Sequence, residues 1–122
     1  MLFRFWLALA LVVGLAAPAL AQDAPVRDRD EAKAQVDFGI AVAQRGLWKE
    51  AVFRFEKAVK ADPTYSAAWN DLGIGYEQLG RFAEAREAYE KAMALDPDNN
   101  FIRTNYDLFR EIYDRQNRRR GR

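Results

Sequence analysis

Cysteine and histidine are both absent from the 122 residues, and serine occurs once, at Ser66. Without cysteine there can be no disulfide, no thiolate metal site and no lipid attached through a cysteine behind a leader. Without histidine, no Ser-His-Asp or Cys-His nucleophile can be assembled, and no imidazole-ligated zinc or iron site can form. No glycine-rich phosphate loop is present either, because Gly73 and Gly75 fall inside a helical pattern. Carboxylates and tyrosines remain, yet no pair of them stands apart from ordinary helix-surface charge. No enzymatic activity, no cofactor and no metal are therefore expected, and the fold must hold together by packing alone.

Long apolar runs are confined to the start of the chain. Arg4 is followed by an apolar stretch from Phe5 to Ala17, then Pro18, then Ala19-Leu20-Ala21 before Gln22. The stretch is short for a membrane span, which needs about 20 residues. Its flanks fit a secretory signal with an A-x-A cleavage site. Residues 1–21 are expected to be a signal peptide, which points to export, with the bacterial periplasm as the location. The alternative is retention as an amino-terminal membrane anchor. The net charge of +1 is unevenly spread. Residues 22–114 hold 13 basic and 18 acidic side chains, and Arg115, Arg118, Arg119, Arg120 and Arg122 follow.

What the chain does have is a repeat. Ser66 to Asn99, moved back by its own length, falls on a weaker copy of itself at Ala32 to Tyr65. Gly73 lands on Gly39, Gly80 on Gly46, Phe82 on Trp48 and Ala85 on Ala51. Tyr89 lands on Phe55, Ala92 on Ala58, Asp96 on Asp62 and Pro97 on Pro63. Each copy reads as two helices separated by a glycine and closed by Asp-Pro, since proline cannot continue the hydrogen-bond ladder.

Five helices follow from the apolar spacing. After a flexible lead-in over 22–29, with Asp28 and Glu31 as a capping box, the first runs from about Asp30 to Arg45. Val36, Phe38, Gly39, Val42 and Ala43 face inward. The second spans about Lys49 to Ala61, with Ala51, Val52, Phe55, Ala58 and Val59 inward. Thr64 or Ser66 caps the third, whose inward set is Trp69, Leu72, Gly73, Tyr76 and Leu79. The fourth spans about Phe82 to Leu95. Asp98, Asn99 or Asn100 caps a fifth, from about Phe101 to Gln116, with a frayed basic tail over 117–122. Small residues at Gly73, Ala85 and Ala92 let paired helices approach to roughly 8–10 Å. Neither hairpin can bury its apolar faces alone, so hairpins stack.

Trp69, Leu72, Gly73, Tyr76, Gly80, Ala85, Tyr89, Ala92 and Pro97 together resemble the tetratricopeptide repeat family. Repeats lie at about 32–65 and 66–99, with a capping helix at about 100–116. The first copy is more divergent, with Gln35 where Trp69 stands and Val42 where Tyr76 stands. The resemblance implies an all-α fold, a right-handed stack of antiparallel helical hairpins forming a TPR-like α-solenoid. It also implies a protein-binding module whose groove is lined by the first helix of each hairpin. On this chain the groove would comprise Lys33, Val36, Ile40, Ala43 and Gln44, then Ala67, Asn70, Asp71, Ile74, Glu77 and Gln78. Phe101, Thr104, Asn105, Leu108 and Glu111 would complete it. A lysine and asparagine clamp for a terminal carboxylate is missing, because Val36, Ile40, Asp71 and Phe101 occupy its positions. An extended or helical peptide fits better, with Asn70 and Asn105 offering amides to its backbone.

The implied role is an exported adaptor or scaffold for a protein or peptide partner. Self-association is the competing use of the same residues, and two repeats are fewer than the three usually needed for independent stability. A structural subunit held at a membrane by an uncleaved amino terminus is the second class of reading. In it, Arg115, Arg118, Arg119, Arg120 and Arg122 would meet an anionic surface. The plainer reading of those arginines is a solvated helix end. No nucleic-acid partner is expected.

Overall fold

The computed structural model describes residues 27–121; the expected signal peptide, most of the lead-in and Arg122 lie outside them. The described residues form five helices: α1 Arg29–Ala43, α2 Trp48–Ala61, α3 Ser66–Gln78, α4 Phe82–Leu95 and α5 Asn100–Arg120. α1 packs with α2 and α3 with α4, giving two hairpins. α2 lies against α3, α5 covers α4, and α3 touches both α1 and α5. No helix among the described residues is long and apolar enough to cross a membrane.

Each turn has a local cause. The Asp28 side chain accepts from the Glu31 amide at 3.0 Å and opens α1. Gly46 and Gly80 have φ of 77° and 73°, the left-handed backbone that a β-carbon disfavours. Around them the same closing bonds recur in the two repeats. Leu47 N–H donates to Val42 and Gly46 N–H to Ala43, while Arg81 N–H donates to Tyr76 and Gly80 N–H to Glu77. This is the Schellman arrangement that satisfies the last carbonyls of a helix.

Asp62 closes α2 and ties the first hairpin's ends together. It accepts from the Thr64 amide at 2.9 Å, the Thr64 hydroxyl at 2.7 Å and Arg29 Nε at 2.6 Å. These bonds, the Thr64 hydroxyl foremost, hold its pKa down at about 2 against the opposing effect of burial. The stability it contributes is full above the ordinary carboxylate pKa of 3.8 and is lost as pH falls towards 2. The Asp28 amide also donates to the Ala61 carbonyl at 2.8 Å. Asp28 and Arg29, expected in a flexible lead-in, therefore belong to the fold.

The core runs through both hairpins: Val42, Ala51, Val52, Phe55, Leu72, Tyr76, Ala85, Ala88, Tyr89 and Phe109. A smaller cluster of Ala32, Val36, Ala58 and Ala68 sits beside it. Missing side chains set the close approaches. A β-carbon on Gly39 would stand 2.4 Å from the Phe55 ring, and one on Gly73 would stand 2.9 Å from Tyr89. Gly75 plays a different part, since its β-carbon would stand 2.7 Å from Val52 on the neighbouring hairpin. The two glycines of α3 thus serve packing within a hairpin and packing between hairpins.

Three sequence expectations need correction here. Phe38 is not inward; it is 46% exposed, with the Arg54 guanidinium 4.1 Å over its ring. A cation over the aromatic face lets the ring sit at the surface without an apolar cover. α3 begins after Tyr65 with no side-chain cap, because the Thr64 hydroxyl is used on Asp62. α5 does not fray at Gln116 but continues to Arg120. Nothing in that stretch breaks a helix: Glu111 pairs with Arg115 at 2.7 Å, and the arginines are good helix formers at the negative end of the dipole.

Candidate functional site

The repeat register places one residue from each of α1, α3 and α5 side by side along one face. Ile40, Ile74 and Leu108 form one such row, and Gln44, Gln78 and Ile112 the next. Ile40 and Leu108 are 39% and 54% exposed, and Ile74 is half-buried. Ile74 packs against the edge of the core, whereas Ile40 and Leu108, in the same row, are left at the surface. Exposed apolar rows of this kind mark interaction surfaces.

Between α1 and α3 the row borders a cavity of about 360 Å³, lined by Ile40, Ala43, Gln44, Trp48, Phe55, Asp71 and Ile74. Trp48, the first residue of α2, forms part of this wall. A second cavity of about 520 Å³ lies between α3 and α4, lined by Trp69, Leu72, Tyr76, Glu84, Glu87, Ala88, Glu90, Lys91 and Ala94. Its aromatics already have duties. Trp69 Nε1 donates to the Pro63 carbonyl at 2.8 Å, Lys91 lies 5.7 Å over the Trp69 ring, and Arg81 lies 4.6 Å over Tyr76. The α1–α3 groove is the better candidate because its rim offers an exposed aliphatic side chain, Ile40, beside the half-buried Ile74.

Asp71 is the acidic group in this groove. Burial pushes its pKa up to about 6, and the Asn70 side chain opposes the rise only in part. Among the described residues no cation forms a salt bridge with it. Glu77, further along α3, is held in place from behind: the Tyr89 hydroxyl of α4 donates to its Oε2 at 2.8 Å. Burial, and then that bond, raise the Tyr89 pKa above its ordinary value. The space left by Gly73 beside the Tyr89 ring lets α4 come close enough for this reach.

The expected groove residues divide. Lys33, Ile40, Gln44, Gln78, Phe101, Thr104, Leu108 and Glu111 are exposed, and Ala43, Ala67, Asp71, Ile74, Glu77 and Asn105 are half-buried. Val36 and Asn70 do not present themselves to a partner. Val36 is 4% exposed and packs in the smaller core cluster. Asn70 is 2% exposed and accepts from Asn105 Nδ2 at 3.1 Å. The two amides expected to grip a peptide backbone therefore satisfy each other across α3 and α5. Ile112 and Trp48 were missing from the expected set. Ile112 is readable from the register, since it stands one repeat after Gln78. Arg115, Arg118, Arg119 and Arg120 are exposed on the last turns of α5, and Arg122 lies outside the described residues.

Helix pairs recurring at a fixed period, with an unburied apolar row along one face, define a helical-repeat module built for protein–protein interaction. Residues 66–99 match the family model of the tetratricopeptide repeat. With the stacked hairpins, that match makes residues 66–99 a tetratricopeptide repeat within a helical-repeat fold. No curated protein matches it.

Proposed function

We propose that the chain is an exported, non-enzymatic adaptor that holds a segment of a partner protein against the face made by α1, α3 and α5. The observation that carries this reading is the row Ile40, Ile74 and Leu108, which is aliphatic on all three helices, with Ile40 and Leu108 exposed and Ile74 half-buried between them in the register. Burying that row under a partner would remove apolar area from water at about 25 cal/mol per Å². Export rests on the apolar leader and its A-x-A site, and the periplasm is the location that such a leader suggests.

The double substitution Ile40→Glu with Ile74→Glu tests the reading. Ile40 is exposed and Ile74 sits at the edge of the core, so circular dichroism should stay close to wild type with a modest drop in melting temperature, while affinity capture loses the wild-type partner. A variant that keeps both its fold and its partners removes the groove from the account. Mass spectrometry of the amino terminus tests export: a mature start at Gln22 supports it, and an intact leader favours anchoring.

A further inference from the structure

The α1–α3 groove is lined by apolar side chains apart from Gln44 and Asp71, and among the described residues no cation pairs with the Asp71 carboxylate. Asp71 lines the cavity with Ile40 and Ile74. Removing a carboxylate from water without pairing it works against folding. The repeat does not require an acid in a groove at this position. Asp37, one repeat earlier, is exposed, and Asn105, one repeat later, spends its amide on Asn70. On the helix that carries Asp71 the charge is of one sign. α3 carries Asp71 and Glu77 and no basic residue, while the acidic Glu111 of α5 is already taken by Arg115. On α1, Lys33 and Asp37 are both exposed.

We propose that the segment bound in this groove is cationic and amphipathic: its apolar side chains cover Ile40, Ile74 and Leu108, and a lysine or arginine among them pairs with Asp71. This deepens the groove reading above and rests on it. An arriving cation gives the half-buried carboxylate a partner that the described residues do not provide, so the pair forms in a site partly screened from water. An anionic segment, or a peptide's terminal carboxylate, meets Asp71 and Glu77 as repulsion and is rejected.

Panning a displayed library of random peptides on the purified full chain tests this directly. Wild type, Asp71→Asn, and Ile40→Glu with Ile74→Glu are compared, each after its circular dichroism has been shown to match. Wild type is expected to enrich peptides with apolar residues at helical spacing and a lysine or arginine among them. Asp71→Asn is expected to keep the apolar pattern and lose the basic preference. A synthetic peptide from the wild-type selection should bind Asp71→Asn about tenfold more weakly. Replacing its cation by glutamine should cost the same on wild type and almost nothing on Asp71→Asn. Enriched peptides without a basic residue, or an unchanged preference on Asp71→Asn, overturn the proposal but leave the groove standing. Peptides that bind the Ile40→Glu, Ile74→Glu chain unchanged, or no enrichment at all, overturn the groove and the proposal together. Sedimentation of the chain alone adds one more outcome. Self-association that Asp71→Asn abolishes would identify a second copy as the occupant and also overturn it.

Discussion

Phe109→Ala should lower the stability of the fold by about 3–5 kcal/mol, the range for deleting a fully buried aromatic ring. Phe109 is the point at which α5 is fastened to the second hairpin. Its ring is buried, with centroid distances of 5.3 Å to Tyr89, 5.8 Å to Tyr113, 6.4 Å to Tyr106 and 6.5 Å to Phe82. Deletion would leave a void lined by aromatic rings, two of which are tied elsewhere. Tyr89 is held by Glu77, and Tyr106 by Glu90 at 3.1 Å. The site can therefore collapse only partly, which places the cost towards the upper end. Small domains have about 5–15 kcal/mol to lose, so this substitution takes a large share. Urea denaturation followed by circular dichroism checks it. A loss below about 1 kcal/mol would mean that α5 is not docked as described.

Asp71→Asn should act in the opposite direction and stabilise the free protein at pH 7 by about 1–3 kcal/mol, because partial burial holds the pKa of the Asp71 carboxyl at about 6. The sign follows from proton linkage. The Asp71 pKa is about 6 in the fold against 3.8 for the ordinary group. Between those two values the folded state holds more proton than the unfolded chain, so the wild type loses stability as pH rises through that window and levels off above it. The asparagine variant should lack this decline. Thermal melts of both proteins from pH 4 to pH 8 provide the comparison. Equal melting temperatures at every pH would contradict the desolvation of Asp71.

The fold was readable from the sequence because the repeat encodes it twice. Gly73, Gly80, Ala85, Tyr89 and Asp96-Pro97 each have a counterpart in the first copy, and each is explained by a steric or turn requirement that needs no knowledge of the partner. The helix ends were less readable. Asp28 and Arg29 are drawn into the fold by Asp62, and spacing along one helix does not reveal a tie between residues so far apart in the chain. The carboxyl end of α5 is not fixed by the sequence, because a run of arginines is compatible with either a helix or a solvated tail.

The site was legible only in outline. Ile40, Ile74 and Leu108 follow from the register, but burial decides whether a residue on the groove side is available. Val36 is close enough to Ala58 and Ala68 to join the core, and Asn70 is turned under α5 towards Asn105. An asparagine in a helix looks the same in sequence whether it faces a ligand or another amide. The desolvation of Asp71 depends on how closely α1 and α3 approach, and no single-helix pattern contains that distance.

A photo-reactive amino acid placed at position 74, with a second chain carrying it at position 87 on α4, tests the central claim most directly. Ile74 lies in the groove row, and Glu87 is exposed on the helix behind it. Irradiated in living cells, the chain labelled at 74 should form a covalent adduct with a partner protein, and the chain labelled at 87 should not. Adducts from position 87 with none from position 74, or none from either, would contradict the account.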